Sequence, residues 1–414
     1  MVAATEVVII GAGLAGLAAA RRFEQAGLDH LLIERADRIG GRVATDTVDG
    51  FRLDRGFQVL NTAYPRLAAL VDLRQLDLRT FTPAVLVRRG TGTVRLAHPL
   101  RMPFAAPGTL LAGVGTLPDR IRLGRLLAYF ATADPARILA RPETTALAEL
   151  RRAGLSPRVI DEVLRPFLSG VLADPSLETS SHVLAMILRS FARGRIAVPA
   201  GGMAELPRAV AATLPTSRIR LDTEVLAVEP GLVRTSGADL RCRWIVIAAD
   251  PPGAARLLPT LPSNPMRQLT TYYHAVARAP QAEPILLVDG DQRGIIANSV
   301  VISQAAPEYA PPGEHLVATS VVGPDPAPEP VIRTELEWLY RTSTADWRHL
   351  RTVRVAQALP AALPPRGRLR DPARVGEDIF AAGDYRDSPS IQGALASGWR
   401  AAGAVLRSRS APIH

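Results

Sequence analysis

Glu6-Val-Val-Ile-Ile10 runs directly into Gly11-Ala-Gly-Leu-Ala-Gly16, and these residues decide the fold. The apolar run suits a strand buried in a parallel sheet, and helical spacing continues from Leu14 to Ala26. In a strand, turn and helix of this form Gly11 permits the tight turn, Gly13 admits a pyrophosphate to the backbone, and Gly16 lets the helix pack closely on the strand. Leu14 and Ala15 begin the helix, whose positive end faces the phosphates. His30-Leu-Leu-Ile-Glu34 is the next strand, and Glu34, followed by Arg35, ends it 18 residues beyond Gly16. A carboxylate about 20 residues on accepts ribose hydroxyls, and an acid there favours a ribose without a 2′-phosphate. The glycine pattern alone is a weak signal. Strand, helix and acid together specify a dinucleotide site.

Outward from there, Arg38-Ile-Gly-Gly-Arg42 sets paired glycines beside two arginines, so the backbone can pass close to an anion while a guanidinium stays near. A plain nicotinamide dehydrogenase has no need of this second loop. Far along the chain, Asp378-Ile-Phe-Ala-Ala-Gly-Asp384 delivers a carboxylate into a turn after Gly383, where it can accept hydroxyls from a ribityl chain. Pro389-Ser-Ile-Gln-Gly-Ala-Leu-Ala-Ser-Gly398 follows, with Ser390 as N-cap of a helix from Ile391 to Leu406.

Composition excludes a good deal. The 414 residues are 47% hydrophobic with 32 Gly and 35 Pro, enough apolar surface for two or three domains with cores of their own. A single cysteine, Cys242, forbids an intrachain disulfide and a multicysteine metal site, and a reducing cytoplasm is its simplest home. All 49 basic residues are arginine, so Schiff-base, pyridoxal-phosphate and Walker-type phosphate chemistry, which use a lysine, are excluded. The +10 charge is scattered in singles and pairs such as Arg88-Arg89 and Arg151-Arg152, and reads as solubility rather than nucleic-acid binding. The seven histidines show no metal-ligand spacing, so no metal is expected. Glu6 stands where a signal peptide carries basic residues, and no apolar stretch reaches the roughly 18–20 residues of a membrane span.

Gly11 to Gly16, Glu34, Arg38 to Arg42, the Gly201-Gly202-Met203 turn and the Gly383-Asp384 and Ser390 to Gly398 ending together resemble the FAD-dependent superfamily of amine oxidases, protoporphyrinogen oxidases and phytoene-desaturase-like enzymes. The resemblance implies an α/β fold. A discontinuous Rossmann-type FAD-binding domain would take residues 1–62, 195–250 and 370–414, and an α+β substrate domain, a sheet roofed by helices, would take 63–194 and 251–369. It also implies a cofactor set of Gly11, Gly13, Leu14, Ala15, Gly16, Glu34, Arg35, Gly40, Gly41, Arg42, Val225, Gly383, Asp384, Ser390, Ile391, Gln392 and Ala394, with Val225 passing the adenine by its backbone. Asp384 to Asp387 contains no cysteine, so the FAD is expected to be noncovalent.

In the substrate segments, strands are expected at Ala84 to Arg89, Thr93 to His98, Thr270 to Arg278, Ile285 to Val288, Ile295 to Ser303 and His315 to Val322, with a helix at Val331 to Tyr340. Gly323 to Pro330 and Leu359 to Arg374 read as loops. Alternation directs Tyr272 and His274 to one face and Tyr273 to the other, which makes all three candidates for a substrate cavity or for core packing. Phe57 and Gln58 resemble the stretch that returns toward the flavin in the superfamily. His98 and His182 read as structural. Pro118 to Ala140 is amphipathic, either packed on the core or turned to a membrane surface at an entrance for lipophilic substrates.

No acid–base pair stands out, so the catalytic residue is unassigned; flavin chemistry asks the protein chiefly to orient the donor carbon and exclude water. Amine oxidases of the superfamily keep a lysine near the flavin's reactive nitrogen, and monoamine oxidases a cage tyrosine where this chain has Ser390. Neither is present here. The leading expectation is dehydrogenation of a largely apolar small molecule to a C=C bond, with dioxygen or a quinone as electron acceptor. The alternatives are oxidation of a C–N bond in an amine or amino acid, and a nonredox flavin-dependent isomerase or flavin-binding partner protein.

Overall fold

The computed structural model describes residues 3–97 and 115–410, so His98 and the readings that fall on it lie outside the described residues. Strand Ala3–Ile10 lies between His30–Ile33 and Leu240–Ile247, parallel to both. Ile219–Arg220 and Ile379–Ala381 extend the parallel set on either side. Val7, Val8 and Ile9 are all fully buried, because both faces of the sheet are covered. Helices Leu14–Gln25 and Ile391–Ser410 cover one face; the other carries the Val225–Glu229 and Leu232–Thr235 hairpin and helix Pro251–Leu257. That double cover is why the strands read as unbroken apolar runs rather than alternating ones.

Register brings the strand ends together. Ile10 pairs with both Ile33 and Ile247, and Ile247 pairs with Ala381, so Gly11, Glu34, Ala248 and the Gly383 turn all leave from one edge of the sheet. Ligands of open parallel sheets bind outside such carboxyl ends. Glycines set the packing distances here: a Cβ on Gly16 would lie 1.9 Å from the Gly11 carbonyl oxygen, and one on Gly398 would lie 1.9 Å from that of Ala15.

A second, seven-stranded sheet has the order Arg348–Pro360, Met266–Val276, His315–Val322, Ile296–Val301, Leu286–Asp289, Ala84–Arg89 and Gly92–Ala97. Helix Glu329–Tyr340 roofs one face, its Ile332, Leu336 and Leu339 meeting Tyr272, Val276, Val317 and Val321. Opposite the other face stand helices Leu117–Thr132, Arg165–Leu172 and Ser181–Arg193, which share a core of Leu126, Phe130, Leu168 and Leu184.

Two expectations change. The thirteen-residue strand Arg348–Pro360 reaches into the stretch read as a loop from Leu359. It lies at the sheet edge with most of its side chains half-exposed or exposed, several of them arginine, so it lacks the apolar run that marks a buried strand. The amphipathic stretch from Pro118 is two helices, Leu117–Thr132 and Pro135–Leu139. Ala133 and Asp134 are extended between them, and Asp134, the residue before Pro135, is one that the proline drives out of the helical region. No helix among the described residues is long and apolar enough to cross a membrane.

Candidate active site

A cavity of about 1730 Å³ begins at the carboxyl edge of the parallel sheet and continues into the cleft between the second sheet and its three facing helices. A pocket for one drug-sized ligand is roughly 300–1,000 Å³. There is room for a dinucleotide and a second molecule.

At the sheet end the lining is built for an anionic, sugar-bearing ligand. Helix Leu14–Gln25 starts at Gly13 with no side-chain cap and no acidic residue in its first turn, leaving its N-terminal N–H groups to a ligand. A Cβ on Gly13 would project into empty space bordering the cavity, the space a bound pyrophosphate needs. The second glycine loop lies directly against the first: the Gly40 N–H donates to the Ala12 carbonyl at 2.8 Å, with Gly40 at φ +101°. Glu34 Oε2 accepts from the Ala12 N–H at 2.8 Å and Oε1 from the Ala36 N–H at 3.0 Å, so the carboxylate is fixed at the cavity wall with lone pairs still available. The Thr223 N–H donates to the Glu34 carbonyl at 2.8 Å, which brings Thr223, Glu224 and Val225 to the same end.

Arg42 from the second loop donates to Asp384 Oδ1 at 2.6 Å and to the Ala358 carbonyl at 2.9 Å. Burial disfavours its charge, but the Asp384 carboxylate, through Coulomb attraction and this hydrogen bond, with Asp250 adding to it, raises the guanidinium above its ordinary value. Ser390 Oγ accepts from the Gly393 N–H at 3.0 Å and so caps the last helix while bordering the cavity. Bare glycine backbone, an uncapped helix end, a ribose-type carboxylate and a paired Arg and Asp fit FAD.

Of the expected cofactor residues, fifteen border the cavity: Gly11, Gly13, Leu14, Ala15, Glu34, Arg35, Gly40, Gly41, Arg42, Val225, Gly383, Asp384, Ser390, Ile391 and Ala394. Two do not. Gly16 is the close contact between helix and strand, and Gln392 turns away, its Oε1 accepting from the Arg66 N–H at 2.9 Å. Phe57 and Gln58 border the cavity, with Gln58 Nε2 donating to the Arg42 carbonyl at 2.9 Å.

Tyr272, Tyr273 and His274 do not border it, which corrects their reading as cavity residues. The alternation is as expected, but both faces at that position are packed. Tyr272 donates to the Ala327 carbonyl and His274 Nε2 meets Glu329 Oε1 at 2.8 Å, both under the roof helix; Tyr273 donates to the Asp54 carbonyl at 2.7 Å. Burial lowers the His274 ring to about 4. His182 is half of a structural contact, its Nε2 lying 2.9 Å from the Arg141 carbonyl.

The cleft end is apolar, with Leu123, Leu127, Phe167, Ile187, Phe191 and Leu286 among its walls. A π-helical turn at Ile160–Leu164 adds Val163 and Leu164. Arg120 and Ser190, on the two helices that wall it, add polar groups to this lining. Asn61, Tyr64 and Asn298 border the cavity and were missed in the sequence; a polar residue inside the apolar run Ile296–Val301 was the only local sign of Asn298. Burial pushes the Tyr64 phenol up to about 12. Asp119 also borders it, but its carboxylate accepts from the Thr116 N–H and hydroxyl, both at 2.9 Å, and from the Ser156 N–H at 2.8 Å and hydroxyl at 3.0 Å. Burial works against the charge, yet these bonds hold Asp119 down at about 2.

The comparisons agree with this architecture. A Streptomyces griseus phytoene dehydrogenase is 31% identical over 289 residues, covering 63% of this chain and 57% of that protein. Arabidopsis thaliana protoporphyrinogen oxidase 2, chloroplastic/mitochondrial, is 23% identical over 182 residues, covering 44% of this chain and 35% of that protein. Each match thus spans less than two thirds of the relative. The solved structure of cyclohexylamine oxidase from Brevibacterium oxydans IH-35A superposes with a TM-score of 0.72 at 18% identity, over 98% of this chain and 100% of that one, which shows the shared fold. The family described as flavin containing amine oxidoreductase matches residues 14–406. This chain belongs to that family of FAD-dependent oxidoreductases.

Proposed function

We propose that this chain dehydrogenates a largely apolar small molecule, forming a C=C bond, in the cleft between the second sheet and helices Leu117–Thr132, Arg165–Leu172 and Ser181–Arg193. The observation that carries the reading is the lining: the cleft opens into the dinucleotide end of the same cavity, and its walls are aliphatic and aromatic. The 31% identical phytoene dehydrogenase and the lack of any lysine favour this over C–N oxidation. Gly13, Glu34, Arg42 and Asp384 would hold the FAD noncovalently, within a cofactor domain of residues 1–62, 195–250 and 370–414. Bound there, FAD supplies the two-electron acceptor for the departing hydride, with dioxygen or a quinone taking the electrons afterwards.

The protein's own part is binding, orientation and exclusion of water. Phe167 and Phe191, ring centroids 5.6 Å apart, form an aromatic wall against which an apolar chain packs. Burying such a chain contributes about 25 cal/mol per Å² of apolar surface. Tyr64, its phenol pushed up to about 12 by burial, stays protonated at neutral pH and so is not a base. Asp119 is held by four donors and no histidine borders the cavity among the described residues, so neither supplies the base, and the second proton of the dehydrogenation leaves to solvent or to a neighbouring base. Anaerobic mixing of the flavin-loaded protein with isoprenoid, porphyrinogen and amine panels tests the reading. Bleaching of the oxidised flavin by an apolar donor without ammonia release is expected; bleaching by amines alone, with ammonia, overturns it.

A further inference from the structure

Asn298 sits in the strand Ile296–Val301, on the face turned to the cleft, and is 5% exposed. Its side chain borders the cavity, and its Oδ1 is buried without a hydrogen-bond partner. Directly across the strands its register partner is Ser320, 1% exposed, whose Oγ is also buried without a partner. Two neighbouring buried polar groups without partners, one of them at the cavity wall, are costly unless a third group joins them. The helix opposite makes room for the amide: a Cβ on Gly170 would lie 2.2 Å from Asn298 Nδ2.

We propose that Asn298 is the specificity-determining residue of the cleft and receives the single hydroxyl of an otherwise apolar substrate. The assignment rests on the apolar-substrate reading above and gives it a chemical end group. A carboxamide both donates and accepts, so a hydroxyl can satisfy it in two directions at once, which a hydrocarbon cannot do. A protonated amine would need a counter-charge, and Asp119, the carboxylate on the cleft-side helix, already accepts from Thr116 and Ser156. Sites that hydrogen-bond a substrate group discriminate against the analogue lacking it far more sharply than apolar pockets discriminate by size.

The test uses the flavin-loaded protein and reads binding by the shift in the flavin spectrum, with 1-decanol, decane, decylamine and decanoate as probes. Wild type is expected to bind 1-decanol about 10- to 100-fold more tightly than decane. In Asn298→Leu the preference should vanish while decane binding is kept; Gly170→Ala, which presses on the amide from the helix side, should reduce it with Asn298 still in place. Flavin content verifies that each variant is folded, and the wild-type preference stands as a test without either. Equal binding of decanol and decane, or tighter binding of decylamine or decanoate, overturns the assignment to Asn298 while leaving an occupied cleft. Failure of all four probes to bind overturns the apolar-substrate reading and this assignment with it.

Discussion

The Arg42 guanidinium meets the Asp384 carboxylate at 2.6 Å across 342 positions of sequence. The contact joins the second glycine loop to the turn after the last strand of the parallel sheet, and both partners border the cavity. Asp384→Ala removes an acceptor from that wall and leaves Arg42 with the Ala358 carbonyl. FAD affinity should fall about tenfold or more, read as flavin retained through dialysis. Full retention would remove Asp384 from the site.

Gly13 and Gly16 should separate cofactor binding from folding. Nothing lies within 4 Å of a Cβ on Gly13, whereas one on Gly16 would collide with the Gly11 carbonyl. Gly13→Val should therefore give a folded protein with normal unlinked stability and little flavin. Gly16→Ala should destabilise the flavin-free protein by about 1–3 kcal/mol, on the scale of an overpacked core, and lower its melting temperature. Parallel thermal melts and flavin assays of the two variants check this.

Asp54 carries a pH signature. It is 1% exposed, and burial lifts its carboxyl to about 6 against the lowering effect of the Thr45 hydroxyl, the Met203 N–H and the Tyr309 hydroxyl. The native state therefore binds this proton more tightly than the unfolded chain, whose aspartate titrates near 3.9. The group's contribution is fully present below about pH 4 and is lost as pH rises through 6, a change on the order of 3 kcal/mol. Urea unfolding of wild type and Asp54→Asn from pH 4 to 7 should show a difference that shifts in favour of the variant as pH rises. A pH-independent difference would refute it.

His274 should prove structural. It is fully buried between the roof helix and the sheet, with Trp347 at 5.9 Å between ring centroids. His274→Gln is expected to keep flavin content and KM while lowering thermal stability. A raised KM at unchanged stability would return it to the substrate site.

Much of the nucleotide end was legible because its chemistry is local. A turn at φ +103° and a backbone bare enough for a phosphate demand glycine, so Gly11 and Gly13 announce themselves. Period-two alternation of Tyr272, Tyr273 and His274 was also legible, since a strand imposes it. Which face met a cavity was not: that depends on the roof helix and on Asp54, both distant in sequence. Arg348–Pro360 escaped notice because an exposed edge strand needs no apolar pattern.

The amino-acid order by itself determined the dinucleotide fold, the FAD-type second loop and the absence of lysine chemistry, because each follows from backbone conformation or residue type within a few positions. Only the tertiary structure decided that Asn298 borders the cleft with its Oδ1 unpartnered. Asn298, Ser320 and Gly170 are brought together by strand register and by a helix laid across them, and register is a property of the whole sheet rather than of any one segment.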